Sequence, residues 1–63
     1  MTVRLAAEQL PYATPPFSVE FIASRPVGEQ WRIHDARDNA VGSAATRIEA
    51  RNAARMLNLE SQP

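Results

Sequence analysis

Three observations predict an α+β domain, a three-stranded antiparallel β-meander packed against one C-terminal helix. Phe17, Val19, Phe21 and Ala23 alternate with Ser18, Glu20, Ile22 and Ser24, the period of two that marks a half-buried strand. Trp31, Ile33 and Val41 carry the pattern through two further short stretches separated by polar reversals. From Thr46 to Asn58 the apolar spacing changes to about 3.6 residues behind a capping sequence. The expected organisation is an N-terminal arm and Pro-rich linker over 1–16, followed by a single βββα domain over 17–60.

Taken in order, Thr2 to Leu10 has Thr2 as a candidate N-cap and Val3, Ala6, Ala7 and Leu10 along one side, which predicts a short helix. About nine residues are too few for a helix to survive undocked in water. Pro11, Pro15 and Pro16 then impose an extended linker. Three placements are open to this arm: over its own sheet, across a neighbouring subunit, or unattached. The first strand has its odd-numbered residues towards the core. It ends at Arg25-Pro26-Val27-Gly28-Glu29, where Pro26 stops the ladder and Gly28 is free to take positive φ. Trp31, Ile33 and Asp35 then face one way while Gln30, Arg32 and His34 face the other. A loop around Asp35-Ala36-Arg37-Asp38-Asn39 leads to a third strand, Ala40 to Ala44, in which Gly42 is expected to weaken the pairing.

Thr46 and Glu49 form a Thr-x-x-Glu capping box for a helix from about Arg47 to Asn58. Ala50, Ala53, Ala54 and Leu57 share the face that packs on the sheet. Arg47, Arg51 and Arg55 recur every fourth residue as a neighbouring stripe joined by Asn58, while Ile48, Asn52, Met56 and Leu59 lie away from the alanines. This helix has more apolar surface than one sheet contact consumes.

Composition narrows the function classes. A chain of 63 residues buries only about 60% of the surface it exposes when unfolded, so self-association is the expected source of further buried area and a homodimer the expected state. Cysteine is absent, which excludes disulfides and thiolate zinc sites, and the single His34 cannot furnish a multi-histidine metal site. Seven Arg balance seven Asp or Glu, so no strong overall field draws the protein to nucleic acid or an acidic membrane. No apolar run approaches the roughly 18 residues of a membrane span, and the N-terminal residues lack the pattern of a signal peptide; the expected location is cytoplasmic.

No catalytic, cofactor-binding or metal-binding set is assigned. His34 falls on the solvent side of the second strand, near Glu20 if the first two strands pair antiparallel, without a nucleophile that the sequence can place beside it. Asp35, Asp38 and Asn39 lack the spacing of a calcium loop and suit turn chemistry. Ser43 and Thr46 have no Gly-x-Ser-x-Gly context, and Gly28 and Gly42 alone write neither a P-loop nor a dinucleotide fingerprint. The chain is expected not to be an enzyme. The candidate partner-binding residues are Ile48, Met56, Arg47, Arg51 and Arg55. The first reading is a small interaction or regulatory module, from a mobile element, contacting itself or another protein through Ile48, Met56 and the arm. Its rival is a nucleic-acid-binding module that uses Arg47, Arg51 and Arg55, and salt dependence separates the two.

The run Trp31-x-Ile33-x-Asp35, Asp38-Asn39, Val41, Thr46, Glu49-Ala50-Arg51, Ala54, Leu57-Asn58 resembles short bacterial, phage and plasmid proteins that look like sheet-plus-helix modules of unassigned function. That resemblance covers less than half the chain and implies architecture, with no functional residues. The order helix, three strands, helix and the closing Ala50-Arg51-x-Ala53-Ala54 segment is more weakly similar to the double-stranded RNA-binding domain. This implies phosphate contacts from the start of the last helix and minor-groove contacts from the first. Here Arg47 stands where that family has a pair of lysines, and Pro15-Pro16 interrupts the approach to the sheet.

Overall fold

The computed structural model describes residues 3–61. Its elements are β1 (Arg4–Leu5), β2 (Ser18–Phe21), β3 (Trp31–His34), β4 (Ala40–Ala44) and α1 (Arg47–Glu60), with a single 3-10 turn at Leu10–Tyr12. The strands form one antiparallel sheet in the order β1-β4-β3-β2. The α+β class and the single C-terminal helix agree with the sequence. The strand number does not, because a fourth strand comes from the arm.

β2 and β3 pair Val19 with Ile33 and Phe21 with Trp31, joined through a reversal in which Gly28 has φ of 96°. The Phe21 and Trp31 rings lie 5.1 Å apart at a tilt of 54°, yet Phe21 remains 51% exposed because it stands at the free end of the sheet. β3 and β4 pair Ile33 with Gly42 and then His34 with Ala40, so Val41 is an extra residue in the ladder. This bulge turns Val41 into the core, where it is fully buried beside Ile33. The rest of the buried cluster is Phe17, Ala44, Ala50 and Ala54.

α1 starts where Thr46 leaves the extended conformation: its Oγ accepts the Glu49 N–H at 3.2 Å and donates to Glu49 Oε1 at 2.8 Å. Ala50 and Ala54 face the sheet and are buried, and Ala53 and Leu57 pack beside them. Small side chains on that face let the helix lie close over β2 and β3.

The helix expected from Thr2 to Leu10 does not form in the described part of that stretch; Thr2 itself lies outside the described residues. Arg4 and Leu5 pair with Ser43 and Gly42 instead, and the Ala6 N–H donates to the Val41 carbonyl at 2.8 Å. Few residues were available to sustain a helix, whereas the edge of β4 offers main-chain partners. Gly42 makes room for them: a Cβ there would stand 2.5 Å from the Arg4 carbonyl oxygen. The residue expected to weaken β4 therefore admits β1.

From β1 the chain crosses the helix side of the sheet, where Leu10 and Ala13 pack on the same core as α1, as does Val3 just before β1. The crossing is held by Asp35, a carboxylate only 2% exposed. Its Oδ2 accepts the Thr14 N–H at 2.9 Å, and its Oδ1 accepts the N–H groups of Arg37 at 3.0 Å and Asn39 at 2.8 Å. The Ala36 N–H donates back to the Thr14 carbonyl at 2.8 Å. Hydrogen bonding from Thr14 is the main reason the Asp35 carboxyl is held below its ordinary value; burial opposes it, and Asn39 and Arg37 add to the lowering. Within the same turn Asp38 takes the left-handed conformation, with φ of 65°.

Candidate functional site

The side of α1 that faces away from β1 forms one wall of an open groove of about 700 Å³, and β2 forms the other. Phe17 and Val19 supply its strand wall, Ile48 and Leu59 its apolar helix wall, and Arg51 and Arg55 lie between these on the helix. Ile48 is 73% exposed and Leu59 53% exposed. Among the described residues, Arg47, Arg51 and Arg55 make no ion pair. The groove thus joins exposed apolar surface to arginines that have no ion-pair partner among the described residues.

Beside it runs the free edge of β2. The Ile22 N–H donates to the Gln30 carbonyl at 2.7 Å, so in this antiparallel ladder Glu20 and Ser18 also turn their main-chain groups towards β3. By the same alternation Phe17, Val19 and Phe21 turn theirs outward. Phe17 is already satisfied from α1: its N–H donates to Asn58 Oδ1 at 2.7 Å, and Asn58 Nδ2 donates to its carbonyl at 3.1 Å. One side-chain amide thus stands in for the backbone of a neighbouring strand at the start of β2. The outward-facing groups of Val19 and Phe21 lie further along the same edge.

Of the candidates taken from the sequence, Ile48, Arg51 and Arg55 come together in this groove, whereas Met56 and Arg47 are not part of its lining. The arm belongs to the opposite edge of the sheet and leaves Ile48 and Met56 exposed. Asn58, read as an extension of the arginine stripe, turns instead to β2. Phe17, Val19 and Leu59 were not among the candidates, because their role depends on where α1 lies over the sheet. Asn58 one turn beyond Ala54 was the available signal, since a polar residue that close to the packing face needs a partner.

On the open face of the sheet, Ser18, Glu20, Arg32 and His34 form a polar row with Asp38 from the turn. As expected from antiparallel pairing, His34 lies beside Glu20, with Nδ1 3.9 Å from Oε1. Ser18 Oγ lies 2.7 Å from His34 Nε2, a nucleophile-to-base distance. Glu20, however, is engaged by Arg32 Nη1 at 3.1 Å and does not hold the imidazole in the manner of a triad acid. His34 Nδ1 is shielded from water and has no hydrogen-bond partner among the described residues. Glu20, His34 and Asp38 each offer a metal-ligand atom within 4.8 Å of the others, but Arg32 Nη1 also contacts Asp38 Oδ1 at 3.0 Å and brings its own positive charge between the two carboxylates. Burial works to lower the Arg32 pKa, and Asp38 and Glu20 more than offset it, holding the guanidinium above its ordinary value. With Arg32 Nη2 donating to the Asp38 carbonyl at 2.6 Å, the row is a brace that ties β2, β3 and the following turn.

Among the described residues no helix is long and apolar enough to cross a membrane. Comparison of the chain with protein-family models, curated proteins and solved structures finds no match.

Proposed function

We propose that this chain is a small non-catalytic interaction module that acts through protein–protein contact at the groove between α1 and β2. The observation that carries this reading is the juxtaposition of exposed Ile48 and Leu59 with a strand edge whose outward main-chain groups are capped by Asn58 only at Phe17. Apolar surface favours burial, and strand edges favour main-chain partners. One occupant in this position meets both demands.

The test is selection from a display library of random peptides about ten residues long, the length of a long strand. Binders selected on the intact chain are expected to lose at least about tenfold in affinity, roughly 1.4 kcal/mol, on Ile48→Asp or Leu59→Asp, with circular dichroism unchanged. Failure to recover any binder sensitive to these two positions rejects the proposal. A duplex RNA is assayed in parallel because Arg51 and Arg55 also suit phosphates. Duplex binding that weakens steeply with salt and disappears in Arg51→Glu would replace protein contact with the nucleic-acid reading.

A further inference from the structure

Resting on that reading of the groove, we infer that its occupant is an extended, acid-bearing protein segment that joins the sheet as a fifth strand on β2, pairing with Val19 and Phe21 and setting carboxylates against Arg51 and Arg55. The backbone supplies the first part. The main-chain groups of Val19 and Phe21 point away from β3, while Asn58 occupies those of Phe17. A segment entering beyond Asn58 therefore meets two residues whose donors and acceptors are arranged for strand addition.

Charge and spacing supply the second part. Arg51 and Arg55 are one helical turn apart, about 6 Å along the axis, and alternate residues of a strand are about 6.6 Å apart. Two acids at positions i and i+2 of the guest face the two guanidinium groups in step. Ile48 precedes Arg51 on the same wall, so an apolar residue at i−2 completes the match, while Asn58 holds the berth at which i+4 would face Leu59. Acids at the intervening positions would fall on the open face of the sheet beside Glu20, whose carboxylate repels them. The pattern expected of the guest is thus apolar, acidic, acidic at every second residue.

A second copy of this chain fits less well. Antiparallel pairing of β2 with its own twin about an axis perpendicular to the sheet puts both helices on one side, with each Arg51 and Arg55 opposite the other pair. That arrangement sets like charge against like in the same groove.

The binders selected above decide the matter. Their sequences are expected to show the alternate-residue acidic pair. Binding is expected to slow amide exchange at Val19 and Phe21, and N-methylation of alternate peptide nitrogens to abolish it. Selection repeated on the double variant Arg51→Glu, Arg55→Glu should return lysines or arginines at the same two positions. Both substitutions are on exposed side chains, and circular dichroism checks the fold. Binders that depend on Ile48 but leave Val19 and Phe21 exchange unchanged, or show no acidic pair, overturn strand addition while the groove reading stands. The absence of any binder sensitive to Ile48 removes both. A shift of the sedimentation mass to two chains at micromolar concentration, lost in Ile48→Asp, assigns the groove to self-association and overturns the acidic partner.

Discussion

The two edges of the sheet are closed by opposite means. At the β1 edge the closing element is main chain: two residues, Arg4 and Leu5, paired on a glycine-thinned stretch of β4, with the crossing that follows tied to the Asp35 carboxylate. At the β2 edge the closing element is a side chain, the Asn58 amide, brought there by a helix whose alanine face lies on the sheet. One edge depends on a buried charge and a missing Cβ; the other depends on helix packing and one amide. A chain of this size can manage an edge either by shortening the strand or by borrowing a polar side chain, and the second leaves the roomier groove, about 700 Å³ against about 250 Å³ beside Arg4 and Leu5.

Removing the carboxylate tests the first edge most severely. Asp35→Ala leaves the N–H groups of Thr14, Arg37 and Asn39 without their acceptor, and the largest loss of thermal stability among these variants is expected, with faster amide exchange at all three. Because folding depresses the Asp35 pKa, its contribution is complete above the unfolded-state value of about 3.9 and is lost as pH falls through the folded value. The stability difference between the wild type and Asp35→Asn is therefore expected to stay constant from neutral pH to about pH 5 and to shrink below about pH 4, as read by denaturant titration. A difference that grows on acidification would contradict the assignment.

Gly42→Val comes next. The added Cβ meets the Arg4 carbonyl, and a cost of about 1–3 kcal/mol is expected from overpacking. Exchange should rise at Ala6, which donates to Val41, while the α1 amides keep their order of protection. Asn58→Ala is the mildest, at about 1–2 kcal/mol for the Phe17 N–H and carbonyl returned to partial solvent. Its mark is local: exchange at Phe17 rises while Ala6 stays protected. If Asn58→Ala also releases Ala6, the two edges are not independently held and the comparison fails.

Much of the helix and of the central hairpin is legible in the sequence because local rules decide both. The Thr46–Glu49 pair marks where α1 begins, the four positions Ala50, Ala53, Ala54 and Leu57 mark its packing face, and Ala40 to Ala44 is the third strand of the expected meander. β1 is not legible. Val3, Ala6, Ala7 and Leu10 suit a helix, and the reason Arg4 and Leu5 between them make a strand instead lies far along the chain at Gly42. Asp35 shows a similar limit: turn chemistry accounts for its bonds to Arg37 and Asn39, whereas Thr14 is 21 residues away. For the groove, the helix period reveals Ile48, Arg51 and Arg55, but not the strand that faces them. That strand is set by how α1 lies on the sheet, as the Phe17–Asn58 contact across 41 residues shows.

Asn58 also limits growth. A sheet margin left bare over its full length invites copy after copy to stack along it, the route by which small β-rich proteins precipitate. Under the proposed strand addition, a primary amide that fills the first berth would leave room for only a brief guest, held by few main-chain bonds. Reversibility, and freedom from runaway fibre formation, would then follow from a single asparagine.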